Sequence, residues 1–282
     1  MNQEWEYYNH ALIPTTAPHV TPDVSWMKDR KKWRELAGGR YPLFARWTTD
    51  FDCQEETEWW YVIRSAPFKF EELGKNARKH IRQAFKKCTV KKIRAEECVD
   101  ELFQVYEEAY TRYQNADNQI TREEFRAGCL EEDANVEYWG GYDLAGRMIG
   151  YLMVIVRESC VEISTAKFSP QYMNLRVSDA LYAAILEHYL NERGKDYVSS
   201  GQRSINHMTN TQEYKMETFA FRKAYCRIHV QYFSLTGMLI FVLYPVKGFL
   251  KYFDKNIRIH QLLGVLTMEE IARKNRKGKK QV

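Results

Sequence analysis

The chain has 282 residues, 45% hydrophobic and 28% charged, with a formal net charge of +5. This balance belongs to a folded globular protein and excludes a wholly disordered chain, a collagen-like repeat and a small disulfide scaffold. The six cysteines (53, 88, 98, 129, 160 and 226) form no C-x-x-C pair and have no histidine at zinc-ligand spacing, so no metal is expected and a reducing compartment is. Residues 1–20 carry Glu4 and Glu6 and no apolar stretch, which is unlike a signal peptide and points to a cytoplasmic chain.

Residues 1–40 read as a poorly ordered or accessory arm. Pro14, Pro18 and Pro22 interrupt any period there, and Trp26 and Trp33 mark a helix anchored on the body. Residues 41–88 follow as two strands (Phe44–Thr49 and Trp59–Arg64) and a basic amphipathic helix over Phe70–Cys88. Its apolar stripe includes Leu73, Ala77, Ile81 and Ala84, opposite Lys75, Arg78, Lys79, Arg82 and Lys86. A helix packed on a core and solvated on its other side gives the same pattern.

From residue 89 the order becomes regular. A short strand (Thr89–Ile93) leads into a helix (Val99–Tyr113), and Thr121-Arg-Glu-Glu124 is a capping box that opens a second helix. Three strands are expected next, over Val136–Tyr142, Arg147–Arg157 and Cys160–Phe168, with a turn at Asp143-Leu-Ala-Gly146. A helix over Val177–Arg193 stops at Gly194. The strand Asp196–Ser200, the helix Thr211–Phe219 and the strand Ala224–Phe233 complete residues 89–234. The fold class is therefore mixed α/β, with a parallel pairing expected across the helical crossover.

Residues 235–282 form an apolar and basic extension. Leu235–Val246 is too short to cross a membrane, which takes about 20 apolar residues. It can cover the body as a core-closing helix or, with Lys247, Lys251 and Lys255, lie against an anionic membrane surface; the covering helix is the leading expectation. From Lys247 onward ten Lys/Arg face three acids, net +7, so the rest of the chain carries −2. Lys69–Lys92 holds nine Lys/Arg against Glu71 and Glu72, again +7. Such blocks suit phosphate, lipid or nucleic-acid partners as well as plain solvation.

This order of elements resembles the GNAT superfamily of N-acyltransferases. Gly146-Arg-Met-Ile-Gly150-Tyr-Leu-Met-Val is similar to its strand hairpin, and Tyr214-Lys-Met-Glu-Thr-Phe219-Ala-Phe221-Arg-Lys to its tyrosine-bearing helix, with Ala220 where glycine is usual. The stretch Trp59–Ile93 resembles the basic helix ahead of the transferase domain in Fem-type aminoacyl transferases. The resemblance implies a mixed central sheet flanked by helices, with N- and C-terminal extensions. It also implies acyl transfer from acetyl-CoA or another acyl-CoA to an amine or hydroxyl. The Fem-type alternative is aminoacyl-tRNA as donor and a small-molecule or cell-envelope precursor as acceptor, at the inner face of the membrane. A third reading is a non-catalytic binding protein of the same shape on the membrane surface.

The family's site lies where its fourth and fifth strands part. Carried onto this chain, Glu162 would be the base, Tyr214 a general acid and His207 a titratable group in the loop that follows. Glu162 equally suits an outward-facing strand position, Tyr214 a packing role and His207 a surface loop. Lys167, Phe168, Arg176, Val177, Ser178 and Asn206 would contact the cofactor, and Ser199, Gln202 and Arg203 the substrate. One departure stands out. The family's Q/R-x-x-G-x-G/A phosphate loop corresponds to Met173-Asn-Leu-Arg-Val-Ser178, where both glycines are missing, and Asp179 adds a negative charge. Arg176 can offset this as a direct phosphate partner, or the donor is not CoA. His188, on an apolar helix face, is expected to be a satisfied core histidine.

Overall fold

The computed structural model describes residues 4–111, 119–131, 133–205 and 210–278. The chain divides into two compact units: residues 1–61, 202–209 and 223–282 form the first, and residues 62–201 and 210–222 the second. These bounds differ from the sequence boundaries at 40, 88 and 234, because the first unit is assembled from three separated pieces of chain.

The first unit begins with β1 (Trp5–Tyr8) and β2 (Ala11–Pro14), an antiparallel hairpin. The short helix α1 (Arg30–Leu36) follows, capped by the Asp29 side chain on the Lys31 N–H at 2.8 Å. Next in this unit is β3 (Phe44–Thr49), which pairs parallel with β2 through Ala11↔Phe44 and Leu12↔Ala45. Trp5, Leu12, Trp33, Ala37, Ala45 and Phe233 make one buried cluster. Residues 4–40 thus contribute Trp5, Leu12, Trp33 and Ala37 to a core, which a poorly ordered arm would not. Pro14 closes β2 and Pro18 lies in a turn, while Trp5, Trp26 and Trp33 pack on one another across elements that spacing along the chain does not bring together.

The chain enters the second unit within β4 (Trp59–Ser65), at Val62, and continues to α2 (Lys75–Lys87). The expected helix from Phe70 is broken: Phe70–Glu72 is a 3-10 turn, and Gly74 caps α2. β5 (Cys88–Ile93), α3 (Val99–Tyr110) and α4 (Arg122–Leu130) come next, and the Thr121/Glu124 capping box is formed. β6 (Val136–Asp143), β7 (Met148–Val156) and β8 (Cys160–Phe168) form an antiparallel meander with β5 at its edge. α5 (Val177–Leu186) crosses over to β9 (Tyr197–Gln202), which pairs parallel with β8. α6 (Thr211–Phe219) returns the chain to the first unit along β10 (Arg222–Tyr232), antiparallel to β3. Both units therefore carry a mixed sheet flanked by helices, the expected fold class.

In the second unit, α3 and α5 lie on opposite faces of the sheet. A Cβ on Gly141 would stand 2.4 Å from Val177 and 2.9 Å from Leu181 of α5, so glycine is what lets α5 approach the strand. Tyr142 and Tyr151 point the other way, into the cluster with Leu102, Phe103 and Tyr106 of α3.

The C-terminal segment contains α7 (Thr236–Leu243), α8 (Lys247–Leu250) and α9 (Ile257–Gly278). Leu263, Leu266, Ile271 and Ala272 of α9 are buried, whereas α7 buries only Ile240. The expectation that Leu235–Val246 closes the core is corrected here: α9 does that work in the first unit. Among the described residues no helix is long and apolar enough to cross a membrane.

Candidate functional site

Two strands of the second unit part. β8 and β9 are paired only at Cys160↔Tyr197, Val161↔Val198 and Glu162↔Ser199, yet β8 continues to Phe168. The register of β8 against β7 shifts at the same place: Val154 faces Ile163 and Met153 faces Thr165, so Ser164 is an extra residue. A bulge of this kind bends its strand and ends regular pairing. Backbone pairing between the two strands therefore ends at Glu162 and Ser199, and the parting beyond them is the candidate slot. Ser199 is fully buried, and its Oγ accepts from the Gly201 N–H at 3.2 Å.

Glu162 sits at the fork, about a quarter exposed, and accepts from Arg157 Nε at 2.5 Å. It lies opposite Ile155, which alternation puts on the α3 face. On the other face stands a residue that sequence reasoning missed. Lys215 of α6 is only 3% exposed. Its ammonium donates to Ser200 Oγ and lies 4.8 Å from the centre of the Tyr182 ring, and burial lowers its pKa from the usual lysine value to about 8. The one sequence signal was its place four residues before Phe219, on the inward side of α6.

Three of the predicted residues come together at the start of α5. The Tyr214 hydroxyl donates to Asp179 Oδ1 and lies 3.4 Å from Ser178 Oγ, while Arg176 Nη1 reaches the other Asp179 oxygen at 3.4 Å. Burial, with the Asp179 carboxylate next in weight, holds the Tyr214 phenol far above its ordinary pKa. Arg176 caps α5 in the left-handed conformation (φ 63°), at the first of the two missing loop glycines. The positive end of α5 is thus met by a carboxylate of the chain itself, 3% exposed.

The other predicted residues fall elsewhere. Lys167 points to the α3 face, with its ammonium 4.4 Å from the Tyr110 ring centre, and burial lowers its pKa. Phe168 packs edge-on to Tyr182 at 6.1 Å on the α5 face, and Val177 is fully buried beneath Gly141. Gln202 and Arg203 belong to the first unit. There Gln202 Nε2 donates to Tyr61 Oη at 2.7 Å and Gln202 Oε1 accepts from Arg46 at 3.1 Å, whereas Arg203 donates to the Glu58 carbonyl and covers the Trp60 ring. Asn206 and His207 lie outside the described residues.

His188 corrects its expectation as a satisfied core residue. Its Nδ1 lies 2.6 Å from the exposed Glu192 carboxylate, but its buried Nε2 has no hydrogen-bond partner among the described residues. It sits in a cleft with Phe68, Phe85 and Trp139. The cause is local: Glu187–Glu192 is a π-helical segment, which rotates His188 away from the stripe a continuous α-helix would give.

No family model matches the chain, and no curated protein does. Among solved structures, the chain is similar to the C-terminal domain of a protein from Agrobacterium fabrum named as a lysylphosphatidylglycerol synthetase. The identity is 14% over 79% of this chain and 78% of that one, with a TM-score of 0.51. It is also similar to L-PGS from Bacillus licheniformis, at 12% identity over 96% of this chain and 86% of that one, with a TM-score of 0.52. FemX matches at 9% identity, 78% and 81% coverage and a TM-score of 0.49. At such identities the likeness is one of fold alone.

Proposed function

We propose that this chain is an acyltransferase working through the slot between β8 and β9, and that its donor is an aminoacyl-tRNA ester rather than acyl-CoA. Lys215 is the observation that carries the reading. A buried ammonium with a pKa of about 8 is charged at neutral pH and still acidic enough to act as a proton donor. Glu162 and Lys215 stand on opposite faces of the sheet beside the slot. The acceptor, an amine or hydroxyl, enters from the α3 face and gives its proton to Glu162, directly or through water. Its nitrogen or oxygen bonds to the acyl carbon. The carbonyl oxygen takes up the electron pair and returns it as the ester C–O bond breaks. Lys215 supplies the proton to the leaving oxygen.

The choice of donor rests on charge. A CoA diphosphate at the start of α5 would meet the Asp179 carboxylate, held there by Tyr214 and Arg176. α2 offers a place for a polyanion instead. It has six Lys/Arg and no acid, and Lys75, Lys79, Arg82, Lys86 and Lys87 are exposed without a carboxylate partner among the described residues. The name lysylphosphatidylglycerol synthetase, borne by one structural neighbour, agrees with an aminoacyl donor.

Binding of labelled acetyl-CoA and of labelled aminoacyl-tRNA to the purified chain tests this. The expected result is tRNA binding that falls steeply with salt and no saturable acetyl-CoA binding. Tight acetyl-CoA binding would overturn the donor assignment, and full transfer activity in Lys215→Met would overturn the mechanism.

A further inference from the structure

The first unit presents an apolar surface on its C-terminal segment. Leu235 is 72% exposed, Phe241 70% and Tyr252 85%. Met238, Leu239 and Val242 of α7 are exposed as well, and so are Phe249, Phe253 and Ile257 beyond it. These nine side chains fall within 23 residues. Single exposed apolar residues are ordinary, but a run of this kind marks an interaction surface.

The segment is held in place. Lys247 pairs with Glu270 of α9 at 2.6 Å. α9 is fixed in turn: Glu269, 4% exposed, accepts from Tyr232 at 2.9 Å and from Arg273 at 2.6 Å. The apolar side chains therefore project from an anchored structure and are not a fraying end.

Charge identifies the occupant. Lys251, Lys255 and Arg258 are exposed among the apolar residues, and Asp254 is the one acid of residues 235–258. A second copy of this chain seated about a two-fold axis would bring these cations against each other. A lipid surface with anionic headgroups receives both the apolar side chains and the cations between them. The helices are short and interrupted at Pro245, which suits lying in the headgroup region and not spanning it.

We propose that residues 235–258 dock the protein on an anionic lipid bilayer. This goes beyond the transfer chemistry and does not depend on it. The test is flotation of the full chain with vesicles of phosphatidylcholine alone and of phosphatidylcholine mixed with phosphatidylglycerol. The wild type is expected to float with the anionic vesicles and not with the neutral ones. Phe249→Ser/Tyr252→Ser/Phe253→Ser and Lys251→Glu/Lys255→Glu should each reduce bound protein about tenfold or more. Both variants alter exposed side chains, and an unchanged melting curve confirms folding. Lys215→Met should float like the wild type, so the docking and the chemistry stand or fall separately. Equal flotation of wild type and both variants would overturn the proposal. So would an effect of the apolar variant alone, or self-association of the wild type without vesicle binding.

Discussion

The Tyr214 hydroxyl of α6 donates to the Asp179 carboxylate in the first turn of α5, joining the two helices that flank the slot on one face of the sheet. Among the described residues, the other partner of the buried Asp179 carboxylate is Arg176, 3.4 Å away and partly exposed. Tyr214→Phe removes the donor and keeps the ring. Stability should fall by about 1–3 kcal/mol, the cost of an unsatisfied buried acceptor, read by urea denaturation. Asp179→Asn, which keeps an acceptor for the phenol, should cost less.

Lys215 separates stability from activity. Its ammonium is buried against Tyr182 and donates to Ser200 Oγ, and burial disfavours the charged form in the folded chain. Lys215→Met should raise stability by about 1–3 kcal/mol while abolishing transfer. Thermal melts and a transfer assay on the same preparation check both halves.

The same residue fixes the pH dependence. Its folded-state pKa of about 8 lies below the 10.5 of an exposed lysine, so between these values the unfolded chain binds more protons. Stability from this group therefore rises as pH climbs from about 8 to 10.5, and Lys215→Met should lose that rise. Transfer depends on the charged form, so kcat/KM should decline above pH 8. A rate that climbs through pH 8 would make Lys215 a base instead.

Gly141 is a packing requirement. Gly141→Ala forces Val177 and Leu181 away from the strand and displaces the first turn of α5. A loss of about 1–3 kcal/mol is expected from chemical denaturation.

Ala220 ends α6 at φ 54°, a left-handed position that suits glycine. Ala220→Gly should relieve strain and stabilise by about 1 kcal/mol, seen as a higher Tm.

Local patterns in the sequence located much of the second unit. The strand Cys160–Phe168, the helix Thr211–Phe219 and the Thr121/Glu124 capping box appear as read, because their signals are periodic or short-range. The misses share a cause. β2 joins β3 through two residue pairs about 33 positions apart, and no local period marks that contact. Lys215 reads as a surface lysine until α6 is seated on Tyr182. The exposed apolar run after Leu235 is read by any hydropathy rule as core, since the sequence does not say whether protein or another medium covers it.

The extra residue in β8 has a consequence for chirality of placement. Side chains along a strand alternate like odd and even numbers, and Ser164 shifts the count by one. Ile163 and Phe168 therefore share a side despite opposite parity, and Lys167 is delivered to the other. Deleting Ser164 would remove the bulge and leave Lys167 and Phe168 on their present faces, whereas a β8 that kept Ser164 in regular alternation would exchange them. A single extra serine thus lets two neighbours of opposite parity share one face of the sheet.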